Sequence, residues 1–174
     1  MWTTKTKIRY ILYRMTAAWL PESRHFKLAK KFRGFWAKRI VQDMGNNVNI
    51  ERGACMTPDV RIGNDSGIGV NCELYGPITI GDHVMMGPEC VFYTQNHRHE
   101  IESNLPFWKQ GYEDPKPVCV GSNVWIGRRV MFLPGSGEGD NCVVAAGSVV
   151  TKVFPSNVVI GGVPARILRK DCVR

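Results

Sequence analysis

The sequence predicts an all-β solenoid, in which short strands joined by tight turns wind into stacked coils. From Ile50 an apolar residue recurs at every sixth position: Ile50, Met56, Ile62, Ile68, Leu74, Ile80, Met86 and Phe92. Four residues after these leaders comes a second small or apolar residue, Ala54, Val60, Ser66, Cys72, Ile78, Val84 and Cys90, with Asn96 breaking the set. The rhythm stops at His97 and returns at Val120, running through Ile126, Phe132, Glu138, Val144 and Val150, with followers Val124, Val130, Ser136, Cys142, Ser148 and Phe154. A strict six matches neither the helical period nor the two-residue alternation of a strand, so the unit is a strand plus a turn that repeats identically. Each coil then buries its leaders against the coils above and below.

Residues 1–45 read as a basic helical cap ahead of the coils. Two helices are broken near Pro21: Ile8, Ile11, Leu12, Met15 and Trp19 recur at helical spacing in the first, and a second from Ser23 carries Phe32, Phe35, Trp36 and Ile40. Residues 1–41 hold eleven Lys or Arg against the single acid Glu22, for +10, which leaves −2 on the rest of a chain whose total is +8. One reading is a cap that shields the open edge of the first coil. The other is a basic amphipathic face, with Lys27, Lys30, Lys31 and Arg33, lying on an anionic membrane. The two readings are compatible. Charge alone gives no basis for nucleic-acid binding.

Composition bounds the class. A chain of 174 residues with 44% hydrophobic and 22% charged content suits one folded soluble unit. In KIRYILYRMTAAWLP, Arg14 interrupts the apolar run and no small-residue cleavage site follows, so an export signal is not expected. No segment approaches the roughly 18 apolar residues of a membrane span. The six cysteines are scattered without a CxxC pair, which disfavours a zinc ribbon, and Cys72, Cys90 and Cys142 fall on follower positions as packing groups. Free thiols place the chain in a reducing cytoplasm, with the basic arm allowing a peripheral position at the inner face of the membrane.

The coils are expected over residues 46–170, interrupted by an inserted loop at 98–119 and followed by a tail at 171–174. Gly63, Gly69, Gly81, Gly87, Gly121, Gly127 and Gly139 directly follow leaders, where a missing Cβ permits close packing. Glu138 stands where an aliphatic leader belongs, and a carboxylate buried there without a partner costs several kcal/mol. The neighbouring Gly135, Gly137 and Gly139 are expected to loosen this hexad and let Glu138 turn outward. The stretch PGSGEGD lacks the Lys-Ser/Thr ending of a phosphate loop.

The segments IGDHVM, VGSNVWIGRRV, VVAAGSVVTK and IGGVPARILRK resemble the hexapeptide-repeat acyltransferases, in particular the galactoside, maltose and nodulation O-acetyltransferases and the acetyltransferases of capsule or exopolysaccharide biosynthesis. The resemblance spans residues 46–170. It implies a left-handed parallel β-helix with three hexads per coil, an exception to right-handed crossover, and a homotrimer with active sites between subunits. It also implies an acetyl-CoA-dependent O-acetyltransferase acting on a saccharide hydroxyl by direct attack, plausible for surface-polysaccharide assembly, with no metal required.

A sugar hydroxyl is too weak an acid to attack a thioester unaided at neutral pH, and histidine is the usual base. His97, ending the first run of hexads, aligns with the catalytic histidine of the similar enzymes and is assigned as general base. His99 is read as an acceptor contact or a solvated residue, and His83 and His25 as surface groups. Asn71 stands near an acceptor-binding asparagine of the relatives and equally suits a turn. In the insertion, Leu105, Phe107, Trp108 and Tyr112 suggest a loop enclosing the site, with Trp108 stacking on a sugar ring. The resemblance places coenzyme A along Trp125, Gly127, Arg128, Ala146, Gly147, Ser148, Thr151, Lys152, Arg166 and Arg169, with Lys152, Arg166 and Arg169 meeting its phosphates. Three alternatives stay open at this stage: an N-acetyltransferase of an amino-sugar nucleotide, a β-helix carbonic anhydrase with zinc on three histidines, and a non-catalytic structural β-helix subunit.

Overall fold

The computed structural model describes residues 2–170 and forms a left-handed parallel β-helix with a helical arm over its first coil. The expected tail at 171–174, with Cys172, lies outside the described residues. Each coil is a triangle with three faces. The first face stacks Asp43–Met44, Val60–Ile62, Ile78–Ile80, Val118–Val120, Gly137–Glu138 and Val153–Phe154. The second stacks Asn49–Ile50, Gly67–Ile68, Met85–Met86, Trp125–Ile126, Val143–Val144 and Val158–Gly162, and the third Cys55–Met56, Glu73–Tyr75, Val91–Tyr93, Met131–Phe132 and Val149–Val150. The coils begin at Asp43, ahead of residue 46, because Asp43–Met44 pairs in register with Arg61 and Ile62.

Leaders and followers of both runs are buried and form one continuous core. Phe92 and Phe132, both leaders, stack with ring centroids 4.5 Å apart. The glycines after leaders are there because successive coils touch backbone to backbone: a Cβ on Gly69 would lie 2.2 Å from the Gly87 carbonyl oxygen. The corner between the first and second faces turns through left-handed residues Asn47, Asp65, His83, Asn123, Asn141 and Asn157. Asn and Asp tolerate that backbone best, and the side chains ladder together, as in Asn123 Nδ2 donating to Asn141 Oδ1 at 2.8 Å.

Glu138 corrects the sequence reading. It does not turn outward: it is 3% exposed, in strand register with Val120 and Phe154, and neither carboxyl oxygen has a hydrogen-bond partner. The flanking glycines serve close packing between coils instead, since a Cβ on Gly137 would lie 2.0 Å from the Cys119 carbonyl oxygen. Burial pushes the Glu138 carboxyl up to about 8, so the group resolves the conflict by holding its proton.

The insertion is also shorter at its end than the rhythm suggests. Val118 and Cys119 already belong to a strand, paired with Ile78 and Thr79, because the buried follower Val118 returns to the rung ahead of the leader Val120. The excursion therefore runs from the end of Val91–Tyr93 to Val118.

The arm comprises α1 (Thr4–Met15), a short 3-10 turn Ala17–Trp19, and α2 (Lys27–Ala37), which starts at Lys27 and not at Ser23. It packs on the first coil, and by an unexpected face. The buried contacts are Tyr13, Ala17, Ala18, Ala29 and Ala37, and the Tyr13 hydroxyl donates to the Ala54 carbonyl at 2.7 Å. Ile8, Ile11, Leu12, Met15 and Trp19 point to solvent. Arg33, read from sequence as part of a basic surface, is fully buried: its guanidinium donates to the carbonyls of Ile50, Leu20 and Pro21, to Ser23 Oγ and to Glu51. The end of the coil stack leaves strand carbonyls such as that of Ile50 unpaired, and a five-donor fork meets them where an aliphatic group would not.

Candidate active site

His97 lies at the corner between the third and first faces, where the chain leaves the coils. It faces Tyr112 in an isolated antiparallel bridge at the foot of the inserted loop. The bridge is reinforced on both sides, by Arg98 N–H donating to the Gly111 carbonyl at 3.0 Å and Glu113 N–H to the Asn96 carbonyl at 2.9 Å. The His97 ring packs on the Tyr112 ring with centroids 4.1 Å apart. The imidazole is thus exposed yet held by a backbone ladder and an aromatic neighbour.

Beside it opens a cleft of about 580 Å³, whose walls include Trp2, Asp59, Tyr75, Tyr93 and Tyr112, within the range of small-molecule sites. Tyr75 and Tyr93 are register partners on adjoining strands of the third face and present two aromatic surfaces one above the other. Burial first, then the Glu73 carboxylate, push the Tyr75 hydroxyl up, so it stays a neutral donor. Trp2 reaches the cleft from ahead of α1, edge-on to Tyr10 at 5.3 Å. Sequence reasoning missed all three aromatics. Tyr75 and Tyr93 carried a usable signal, being one coil apart at the same phase on an outward position, whereas Trp2 carried none.

The other expected residues disperse around the triangle. Asn71 sits with left-handed backbone at the corner between the second and third faces, in one column with Gly53, Glu89, Arg129 and Gly147. His99 is exposed, with Nδ1 3.4 Å from the His97 carbonyl, and lines a separate hollow with Arg98, Glu100, Glu113 and Asp114. Trp108 is exposed in a 3-10 turn of the loop beside the Lys109 ammonium and does not line the His97 cleft within this chain. His83 belongs to the first corner, 4.0 Å from Asp65, so the histidines do not converge. Among the described residues no group of three or more His, Cys, Asp or Glu is placed to hold a metal ion.

The residues assigned to coenzyme A fall mainly along that second corner. Gly127 and Ala146 stack so closely that a Cβ on Gly127 would lie 2.6 Å from the Ala146 nitrogen, and Gly147 N–H donates to the Arg128 carbonyl. Arg128 and Arg129 grip Glu89, and these hydrogen bonds hold its carboxyl below the usual range. Trp125 is exposed on the second face in register with the exposed Met85, giving a flat apolar strip next to the small-residue column. Ser148 is fully buried, its hydroxyl donating to the Ala145 carbonyl and accepting from Gly162 N–H, so its side chain is committed to the coil. Thr151 and Lys152 lie at the His97 corner, Lys152 over the Phe154 ring, and Arg166 and Arg169 on the antiparallel strand Ala165–Lys170 that closes the last coil.

Comparison with known proteins places this geometry. No protein-family model matches the chain. A maltose O-acetyltransferase of Clostridium difficile 630 superimposes with a TM-score of 0.79 at 29% identity, over 96% of this chain and 86% of that one. The galactoside O-acetyltransferase of Escherichia coli K12 is 42% identical over 95 residues, 53% of this chain and 44% of that protein.

In sequence and in fold the chain is similar to the hexapeptide-repeat acetyltransferases.

A third similar protein is a hexapeptide-repeat acetyltransferase of Vibrio cholerae O1 biovar eltor, solved with acetyl coenzyme A, with a TM-score of 0.75 at 28% identity over 95% of this chain and 86% of that one. The chain spans about half the length of the curated relatives it matches.

Proposed function

We propose that the protein is an acetyl-CoA-dependent O-acetyltransferase that transfers an acetyl group to a saccharide hydroxyl, with His97 as general base. The observation that carries this is the exposed imidazole of His97, clamped at the loop's foot beside a cleft whose walls include Tyr75, Tyr93, Tyr112 and Trp2. Aromatic faces suit the apolar side of a sugar ring. The similarity to galactoside and maltose O-acetyltransferases and to a structure holding acetyl coenzyme A supports both substrates.

In the proposed reaction His97 accepts the acceptor hydroxyl proton as the oxygen attacks the thioester carbonyl. The tetrahedral adduct then collapses, the carbon–sulfur bond breaks, and the departing sulfur takes the proton back from the imidazolium. The products are an O-acetyl ester and free coenzyme A. A base so placed contributes about 10²- to 10⁴-fold in rate.

His97 stands at one corner of the triangle while Trp125, Gly127, Arg128, Ala146 and Gly147 stand mainly at another. In this reading the second corner of one copy meets the third corner of the next in a homotrimer, so donor groove and base come from different subunits. Asn71, on the same second corner, then faces the acceptor across the interface. The exposed strip of Met85 and Trp125 supports such packing. Arg166 and Arg169 supply cations for the coenzyme A phosphates. The working place is the cytoplasm, in keeping with the free thiols of Cys55, Cys72, Cys90 and Cys119, and the acceptor a precursor of a surface polysaccharide.

The test is a panel of saccharides with acetyl-CoA, read by thiol release, alongside His97→Ala. Wild type is expected to release thiol only with a productive acceptor, and His97→Ala to lose about 10²- to 10⁴-fold in kcat with little change in KM. Alkali-labile product identifies an ester, and an alkali-stable amide would move the assignment to amino-sugar N-acetylation. Undiminished turnover in His97→Ala overturns the mechanism.

A further inference from the structure

The outward faces of the arm are the least explained surface of the molecule. On α2, Leu28, Phe32 and Phe35 share one exposed side and, with Leu20 and Phe26, line an open apolar groove of about 510 Å³. Lys31 borders that groove and also a second hollow of about 560 Å³, where it joins Lys27 and Lys30 over Gly45 and Asn47 of the first coil. Lys30 Nζ donates to Asn47 Oδ1 at 2.7 Å, which holds one ammonium at the hollow's edge. An apolar trough and a three-lysine basin therefore lie side by side, hinged on one residue.

Acids are few around the basin: Glu22, the only acidic residue before Asp43, is paired with Arg24 at 2.9 Å, and Asp65 reaches the basin only through Asn47, whose Nδ2 donates to Asp65 Oδ1 at 2.7 Å. The first helix repeats the arrangement. Its solvent side carries Ile8, Ile11, Leu12 and Met15, opposite the buried Tyr13, and at about 100° per residue Lys5 and Lys7 fall on either flank of this stripe.

We propose that α2 docks on an anionic phospholipid surface, with the Leu28, Phe32 and Phe35 side entering the headgroup–acyl boundary and Lys27, Lys30 and Lys31 meeting lipid phosphates. The juxtaposition decides between occupants. Contact surfaces between proteins are depleted in lysine, whereas lysines beside aromatic and aliphatic groups on one helix are the signature of an interfacial helix. No described helix is long and apolar enough to cross a membrane, so the contact is peripheral. The proposal does not depend on the reaction assigned to His97.

The test is flotation of the full chain with vesicles of phosphatidylglycerol and phosphatidylcholine, and with phosphatidylcholine alone. At low ionic strength the protein is expected to float with the anionic vesicles and scarcely with the neutral ones. The triple variant Lys27→Gln, Lys30→Gln, Lys31→Gln should lower partitioning about 100-fold. Leu28→Ser with Phe32→Ser should lower it at least about tenfold and remove the fraction that resists salt. These side chains face solvent, so melting temperatures close to wild type are expected in both variants. Absence of flotation, equal flotation with neutral vesicles, or wild-type flotation of either variant overturns the proposal. So does a fall in oligomeric mass in the serine variant without vesicle binding, which would assign the groove to a second copy of the chain.

Discussion

Glu138 shows how far one side chain can depart from its repeat without breaking it. Its folded carboxyl is raised to about 8 from an ordinary 4.5, so between those values the native state holds a proton that the unfolded chain gives up. Stability therefore falls as pH rises through that window and levels off above it. Glu138→Leu should abolish this slope and raise stability by about 1–3 kcal/mol near neutrality, the usual cost of a buried polar group without a partner; thermal melts between pH 5 and 9 measure both effects. An unchanged pH slope in the leucine variant would show that some other group titrates. The residue's place in the sixfold rhythm is plain in the sequence, but its direction is not: strand register fixes where a leader points, and a carboxyl can meet that constraint by remaining neutral. His97 was legible for the opposite reason, since it marks the point where the rhythm fails. Its partner Tyr112 was legible only as one aromatic among several, because an antiparallel bridge across fourteen intervening residues leaves no periodic trace.

The helical arm is attached to the coils by an element-scale contact centred on Arg33. Burial lowers the guanidinium's affinity for its proton, and Glu51 opposes that effect. Burial alone would raise the Glu51 carboxyl, but hydrogen bonds from Ser23 and Asn49 and the Arg33 charge bring it below its ordinary range. Arg33→Met should cost about 3–5 kcal/mol, because it strands a partly buried carboxylate and several carbonyls. Limited proteolysis should then cut between α1 and α2 before the coils are touched; simultaneous loss of arm and coils would mean that the arm is not a separable cap. The helices themselves were readable from spacing, yet the side they bury was not. Periodicity shows that a helix has two faces, and here the narrow end of the first coil accepts small groups such as Ala17, Ala18 and Ala37 while the bulky stripe stays outside. The same reasoning explains why Arg33, placed among lysines, could not be told from them: only the coordinates show a ring of carbonyls around it.

On the scale of the whole molecule, the three faces separate the proposed base from most of the proposed donor groove, and the separation is itself a test of assembly. Neither His97→Ala nor Ala146→Trp, which blocks the second corner, should turn over alone. Mixed and reassembled trimers should recover activity in about a quarter of the sites, the value for random pairing of subunits. No recovery would place the whole site within one chain. The sixfold spacing made a coiled solenoid legible, but three hexads to a coil, and with them the triangle and the corner on which each residue lies, came from the resemblance to the hexapeptide-repeat acyltransferases. What the count could not supply was the neighbouring copy. The strand Val118–Val120 re-enters beside Ile78–Ile80 in the step expected of an uninterrupted rung, so the scaffold does not register the length of what was inserted ahead of it. The segment that carries Tyr112 beside the His97 imidazole is in effect a cassette: its sequence and length can drift while the stack beneath keeps the same dimensions.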